Sequence, residues 1–387
     1  MATRMPASSR PHNGEDSAPV LSTRALNRAL LARQLLLRRH PLGVLDAVTR
    51  LVGLQAQAPN PPYIGLWTRL DGFAIEDLAG ALEDRSLTRI AVMRSTVHLV
   101  TAQDCRTLRP LTQPALDRDL WVGSGSGKAV DGVVDPAELA AAARAALAGP
   151  PLTTAELGEA LQQRWPEVAA RHLAYAARTL LPLVQVPPRG IWGVGGRTRY
   201  ATAESWLGEP LADGPSLQEV VLRYLAAYGP ATVKDVQLWS GLTRLRPVLD
   251  GLRDRLRTFR DGSGHELFDV PGAPLPDPGL PAPVRFLPEF DNILLSHADR
   301  GRIITDEDRR RIFTRNGIVR ATFLVDGFVR GMWAIDRDRD GAVLRVEPFA
   351  PLGAPDRAAL SEEGARLLAF AAADARAHDI RFAPPGG

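Results

Sequence analysis

The sequence contains a single cysteine, Cys105. One thiol makes no internal disulfide. No Cys pair and no close His pair has zinc-ligand spacing, so no metal is expected. Lysine is nearly missing as well. It occurs only at Lys128 and Lys234, and the other 45 of the 47 basic residues are arginine. Chemistry through a lysine Schiff base, which needs a desolvated amine, has little to draw on. No apolar run reaches the roughly 18 residues of a membrane-spanning helix. The N-terminal MATRMPASSRPHNGEDSAPV lacks the apolar stretch of a signal peptide. These absences point to the cytoplasm, with no membrane partner. A Gly-x-Ser-x-Gly elbow is also missing, so a hydrolase triad has no anchor.

What is present suits a soluble protein that builds a core. The chain has 387 residues, 45% hydrophobic and 24% charged, with a net charge of +3. That length allows two to four units of about 100–150 residues each. A pI near 9.3 permits a nucleic-acid partner.

Residues 1–20 read as a disordered tail. Leu21–Arg39 has Leu and Ala at helical spacing and reads as one helix. Pro41 opens a second, in which Leu45, Val48, Val52 and Gln55 share a face. Gln55 and Gln57 then stand where this helix runs out, ahead of Pro59. If the helix persists they lie about 200° apart. If it unwinds, both amides can turn toward one space. Spacing alone leaves open a cap, a plug for loose carbonyls or a site. Leu87–Val100 reads as a hairpin around Arg94-Ser95-Thr96. Helices followed by a hairpin suggest a winged helix, and the theme returns twice. The expected units are 21–120, 133–208 and 215–272, followed by a β-rich region, 282–387, with a final helix over Asp356–His378.

Two motifs are decoys. GSGSGK has Val122 and Ala129 where a phosphate loop needs Gly and Ser or Thr. DRDRDGAVLRVE fits a calcium-loop pattern through Asp336, Asp338, Asp340, Gly341 and Glu347, but its flanks read as strands. A hairpin turn is expected there.

Three stretches, in order, carry a resemblance: GLQAQAPNPPYIGLWTRL, MRSTVHLVTAQD and LPEFDNILLSHADR. Together they resemble the winged-helix DNA glycosylases of the AlkZ and YcaQ type, over about Leu21 to Phe382. The resemblance implies an α+β fold of three tandem winged helix-turn-helix units around a C-terminal β-barrel-like region. It implies excision of N-alkylated purines, bulky adducts and interstrand crosslinks included, from double-stranded DNA. It also implies a bacterial, nucleoid-associated repair or self-resistance enzyme. The signature Gln–apolar–Gln falls on Gln55-Ala56-Gln57, which marks both glutamines as catalytic. No cofactor is implied, and one continuous DNA-cradling chain acts as a monomer.

The chemistry is coherent. A carboxamide donates and accepts hydrogen bonds but is no useful base near pH 7. Alkylation at N7 makes the purine a cation that leaves neutral, so the enzyme has only to place water and stabilise an oxocarbenium-like sugar. Gln57 is expected to hold the water, with Gln55 fixing the motif or sharing the contact. The scarcity of lysine predicts a monofunctional enzyme. His98 matches the family motif or is a core histidine. Asp291 and Asn292 shape a turn near the site. Arg94 meets phosphate or is an exposed wing residue. Arg189, Trp192, Arg197, Arg199 and Tyr200 crowd the second wing, a mix suited to phosphate neutralisation and base stacking. Lys234 opens a helix of the third unit where it can meet DNA. The competing reading is a non-catalytic multi-winged-helix protein, a regulator or architectural factor.

Overall fold

The computed structural model describes residues 18–212, 216–339 and 341–385, so most of the expected N-terminal tail lies outside the described residues. One order of elements recurs three times. Helix Val44–Leu51, strand Leu54–Gln55, helices Pro61–Trp67 and Ile75–Glu83, and strands Leu87–Ala91 and Val97–Thr101 form the first set. The second runs Pro136–Ala146, Leu152–Thr153, Thr154–Gln162, Ala170–Leu180, Leu183–Val186 and Arg199–Thr202. The third runs Leu217–Tyr228, a lone bridge of Ala231 to Phe268, Val233–Ser240, Arg246–Asp250, Arg257–Asp261 and Glu266–Asp269. Local sequence sets several helix starts. Reciprocal capping boxes form at Thr153 with Glu156, Ser216 with Glu219, and Thr232 with Asp235.

The first two sets are not separate. Strand Leu87–Ala91 would be left with a bare edge, and instead it pairs with the second set at Arg89–Gln185 and Ile90–Val184. The result is one six-stranded sheet. Ile90 and Val184 are both buried in its core.

The first expected helix is shorter than its apolar run. It spans Thr23–Arg33, capped by the Ser22 hydroxyl, and stops before Leu35, whose φ is +60°. Arg33 pairs with Asp269 inside the protein, and Asn27 donates to the carbonyls of Arg302 and Gly327. This helix therefore fastens the third set to the C-terminal region.

That region is an open sheet, not a closed barrel. Its five strands run Arg285–Leu287, Thr322–Val325, Phe328–Arg337, Gly341–Pro348 and Ala377–Phe382, with the first and last on opposite edges. Closure is unnecessary because helix Ala354–Ala371 covers a face, burying Leu360, Leu367 and Leu368 against Phe286, Phe323 and Leu344. The expected final helix ends early as well. Ala377–Phe382 becomes a strand parallel to Gly341–Pro348. The calcium-like segment is the turn of a hairpin, where Asp336 and Glu347 both pair with Arg345. Asp340 lies outside the described residues.

Candidate active site

Gln55 ends a short strand and Gln57 lies in the bend just beyond it, so neither is on a helix. Helix Val44–Leu51 ends because Val52 and Gly53 both take the left-handed conformation, with φ of 54° and 86°. A Cβ on Gly53 would lie 3.0 Å from the Leu99 carbonyl oxygen, so the turn requires glycine twice over. The chain then pairs Leu54 with Leu99 and Gln55 with His98, and the Ala56 amide donates to the Val97 carbonyl at 2.7 Å. Side chains on an extended chain alternate. Leu54 and Ala56 enter the apolar core, while Gln55 and Gln57 take the opposite face. Gln55 is buried and Gln57 is exposed.

Each amide is oriented by its neighbours. Arg94 Nη2 donates to Gln55 Oε1 at 2.8 Å, and Arg94 Nη1 donates to the Trp239 carbonyl at 2.6 Å. A guanidinium only donates, so the Gln55 oxygen is fixed toward Arg94 and its NH₂ points elsewhere. Gln57 Oε1 accepts from the Val97 amide at 3.3 Å. His98 Nδ1 lies 2.8 Å from the Thr96 carbonyl and donates to it, leaving Nε2 to accept from Arg94 at 3.4 Å. Burial first, then the charge on Arg94, pushes the His98 pKa down to about 3. The ring is therefore neutral at neutral pH. Burial also lowers Arg94 to about 10, which leaves it a cation. Its hydrogen bonds go to neutral acceptors only, and among the described residues no carboxylate pairs with it.

The rest of the protein converges on this segment. From the second set, Gln185 accepts from Arg89, which also donates to the carbonyls of Ala56 at 2.7 Å and Ala58 at 3.3 Å. From the third set, Gly241 comes so close to Arg94 that a Cβ would meet its backbone at 3.0 Å. From the C-terminal region, Asn292 Nδ2 donates to the Gly53 carbonyl at 2.8 Å. Asp291 accepts both terminal nitrogens of Arg69, each at 2.8 Å, with both side chains buried. One crevice is lined by Gln55, Pro61, Pro62, Pro288 and Glu289.

Comparison with known proteins settles the family. The model of the family described as "DNA glycosylase AlkZ-like" matches residues 48–370. The chain belongs to the AlkZ-like DNA glycosylase family. It is a hydrolase of base–sugar N-glycosyl bonds in DNA repair. A curated relative, the interstrand DNA cross-link repair glycosylase of Streptomyces sahachiroi, is 26% identical over 331 residues, covering 79% of this chain and 85% of the relative. The solved structure of the S. sahachiroi DNA glycosylase AlkZ superposes with a TM-score of 0.76. It is 23% identical and covers 94% of this chain and 100% of that one, a likeness of fold.

Within this glycosylase the structure groups Gln55, Gln57, Arg94 and His98 directly, and sets Asp291 and Asn292 behind them. Of the second-set candidates, Trp192, Tyr200 and Arg199 carry partners of their own, whereas the buried Nε of Arg189 has none among the described residues. Trp192 packs edge-on to Tyr63 at 5.3 Å and against Phe370 at 5.8 Å. Tyr200 is buried beneath the guanidinium of Arg178. Arg199 pairs with Glu156 at 3.0 Å, Arg189 is half-buried, and Arg197 is exposed. Lys234 is exposed at the start of its helix, while Gln237 nearby accepts from the Leu245 amide. Sequence reasoning missed Arg89, Arg69, Trp239 and Glu289. Glu289 stood inside the quoted LPEFDN. The others are ordinary residues until the fold brings them to the glutamines.

Proposed function

We propose that this glycosylase removes N7-alkylated, cationic purines from double-stranded DNA, bulky adducts and interstrand crosslinks included, with Gln55 and Gln57 as its catalytic residues. The observation that carries the reading is the state of His98. The one imidazole at the glutamines is held neutral by burial and by Arg94, so it has no proton to give a departing base. A neutral purine needs such help and a cationic one does not. The two amides supply N–H donors that hold water and brace the sugar. The three recurring sets are read as winged helices, acting in one monomer. Arg94, Arg189, Arg197, Arg199 and Lys234 meet the DNA, with Trp192 and Tyr200 bracing the second wing. His98, Asp291 and Asn292 support the site.

Single-turnover excision of N7-methylguanine from a duplex tests this. Wild type is expected to leave alkali-labile abasic sites, and the Gln55→Ala, Gln57→Ala double variant to be slower by at least about 10²–10³-fold while binding DNA as well. Efficient removal of uracil would contradict the demand for a cationic base. A protein–DNA adduct trapped by borohydride would contradict a monofunctional enzyme.

A further inference from the structure

Hydrolysis of the glycosidic bond releases one proton from the attacking water, and the glutamine face has nothing to receive it. Neither carboxamide takes up a proton near neutral pH. The Gln55 oxygen is committed to Arg94, and the Gln57 oxygen accepts from Val97. His98 Nε2 is turned toward Arg94. Asp291 has both oxygens on Arg69. Among the described residues two carboxylates remain. Asp119 lines a separate cleft with Arg94, and its Oδ2 accepts from Ser95 and Tyr175. Of the two, Glu289 alone shares a crevice with Gln55.

Glu289 lines the crevice with Gln55, between Pro61, Pro62 and Pro288. It is half-buried, and among the described residues it makes no hydrogen bond and no ion pair. Its neighbours are fully engaged. Phe290 takes a left-handed φ of 59° and donates its amide to the Val319 carbonyl at 3.1 Å. Asp291 holds Arg69, and Asn292 holds Gly53, two residues before Gln55. The turn 289–292 is thus tied down at three positions, and the fourth, Glu289, lines the crevice beside Gln55 and the prolines. A half-buried carboxylate without a partner costs folding free energy, and such groups gather at functional sites.

We propose that Glu289 is the general base of this glycosylase, a role that rests on the N7-alkylpurine reading above. The C1′–N9 bond breaks and its electron pair leaves with the purine, cancelling the N7 charge. The water oxygen bonds to C1′, and its proton passes to the Glu289 carboxylate and then to solvent. Burial raises the Glu289 pKa, which strengthens the carboxylate as an acceptor. Few charges face it. Asp291, from its own turn, is neutralised by Arg69, and the strand and helix across the crevice contribute Gln55, two prolines and Gly65, none of which titrates. Arg94 stands beyond Gln55.

The test compares wild type, Glu289→Gln and Glu289→Asp in single-turnover excision of N7-methylguanine at saturating enzyme, between about pH 5 and 8, with DNA binding and melting measured alongside. The expected result is that Glu289→Gln binds DNA as wild type does, melts no lower, and is slower by about 10²–10⁴-fold. The wild-type rate should fall as pH drops through the Glu289 pKa, a fall missing from Glu289→Gln. Glu289→Asp should recover part of the rate. A Glu289→Gln rate within about threefold of wild type overturns the proposal. So does weaker DNA binding with an unchanged rate at saturation, which would make Glu289 a recognition group. An inactive wild type overturns the underlying substrate reading, and the Glu289 role with it.

Discussion

Arg69 and Arg94 both tie down the surroundings of the glutamines, Arg69 through Asp291 and Arg94 through Gln55 itself, by opposite means. Arg69 is buried and fully compensated. It bonds both oxygens of Asp291, and its remaining donors reach the carbonyls of Gly65 and Gln34 at 2.9 and 3.0 Å. Arg94 has no carboxylate. It bonds the Gln55 amide, the Trp239 carbonyl and the His98 ring. Burying a cation without a counter-charge is costly, and the protein avoids it at Arg69. At Arg94 the charge is left standing beside the candidate catalytic amides. The difference separates a clamp from a site. Where only position matters the charge is cancelled. Where polyanionic DNA must be met, and an amide must be held donor-outward, the charge is kept.

The clamp side should break hardest. Asp291→Ala leaves Arg69 buried and unpaired and is expected to cost about 3–5 kcal/mol of stability. Urea unfolding checks it. A loss below about 1 kcal/mol, the scale of a surface pair, would mean the pair is not the clamp it resembles. Activity should fall in step with the folded fraction.

Arg94→Met should do the reverse. It removes an uncompensated cation and keeps much of the stem's packing, so stability should stay within about 0.5 kcal/mol of wild type or rise. The excision rate should fall by about 10–100-fold, because Gln55 loses the partner that sets its orientation and one nearby positive charge is gone. Denaturant midpoints and single-turnover rates on the same preparation separate the two effects. Equal losses in both would erase the distinction between the two arginines.

The sequence disclosed the identity of the key residues better than their geometry. Gln55-Ala56-Gln57 stood out beside the two later motifs. Yet Leu45, Val48, Val52 and Gln55 share a helical face only on paper, because Val52 and Gly53 turn left-handed and Leu45 is exposed. The turn that overrides the periodicity is chosen by Gly53 fitting against the Leu99 carbonyl, a contact 46 residues away. Strand Ala377–Phe382, whose first two residues fell within the expected helix Asp356–His378, was hidden for the same kind of reason, since its strand character comes from pairing with Gly341–Pro348. The junction of Arg89 with Gln185 spans 96 residues and leaves no local trace. Glu289 was visible as a letter. Its significance depends on Asp291 and Asn292 being used up by Arg69 and Gly53, which only the fold decides.

At neutral pH the effect of His98 titration is nil, and the comparison is sharpened from the acid side. His98 is held near a pKa of about 3 in the native protein, far below its ordinary 6.5, by burial and then by Arg94. Between those two values the unfolded chain binds a proton that the folded one does not. Stability must therefore rise with pH across that window, stand complete above about 6.5, and drain away as pH falls toward 3. His297 is also pushed down to about 3, by burial and by Arg302, so the two act in the same window with the same sign. His98→Gln should remove one share of the acid sensitivity, flattening the urea midpoint between pH 4 and about 6.5. If the midpoint falls as steeply as in wild type, His297 carries the acid lability and His98 does not feel Arg94 as placed here. Because His98 is neutral throughout the range where the enzyme would be assayed, the same substitution should leave the shape of the rate–pH profile unchanged. That outcome would separate the folding role of the imidazole from the chemistry of the amides beside it.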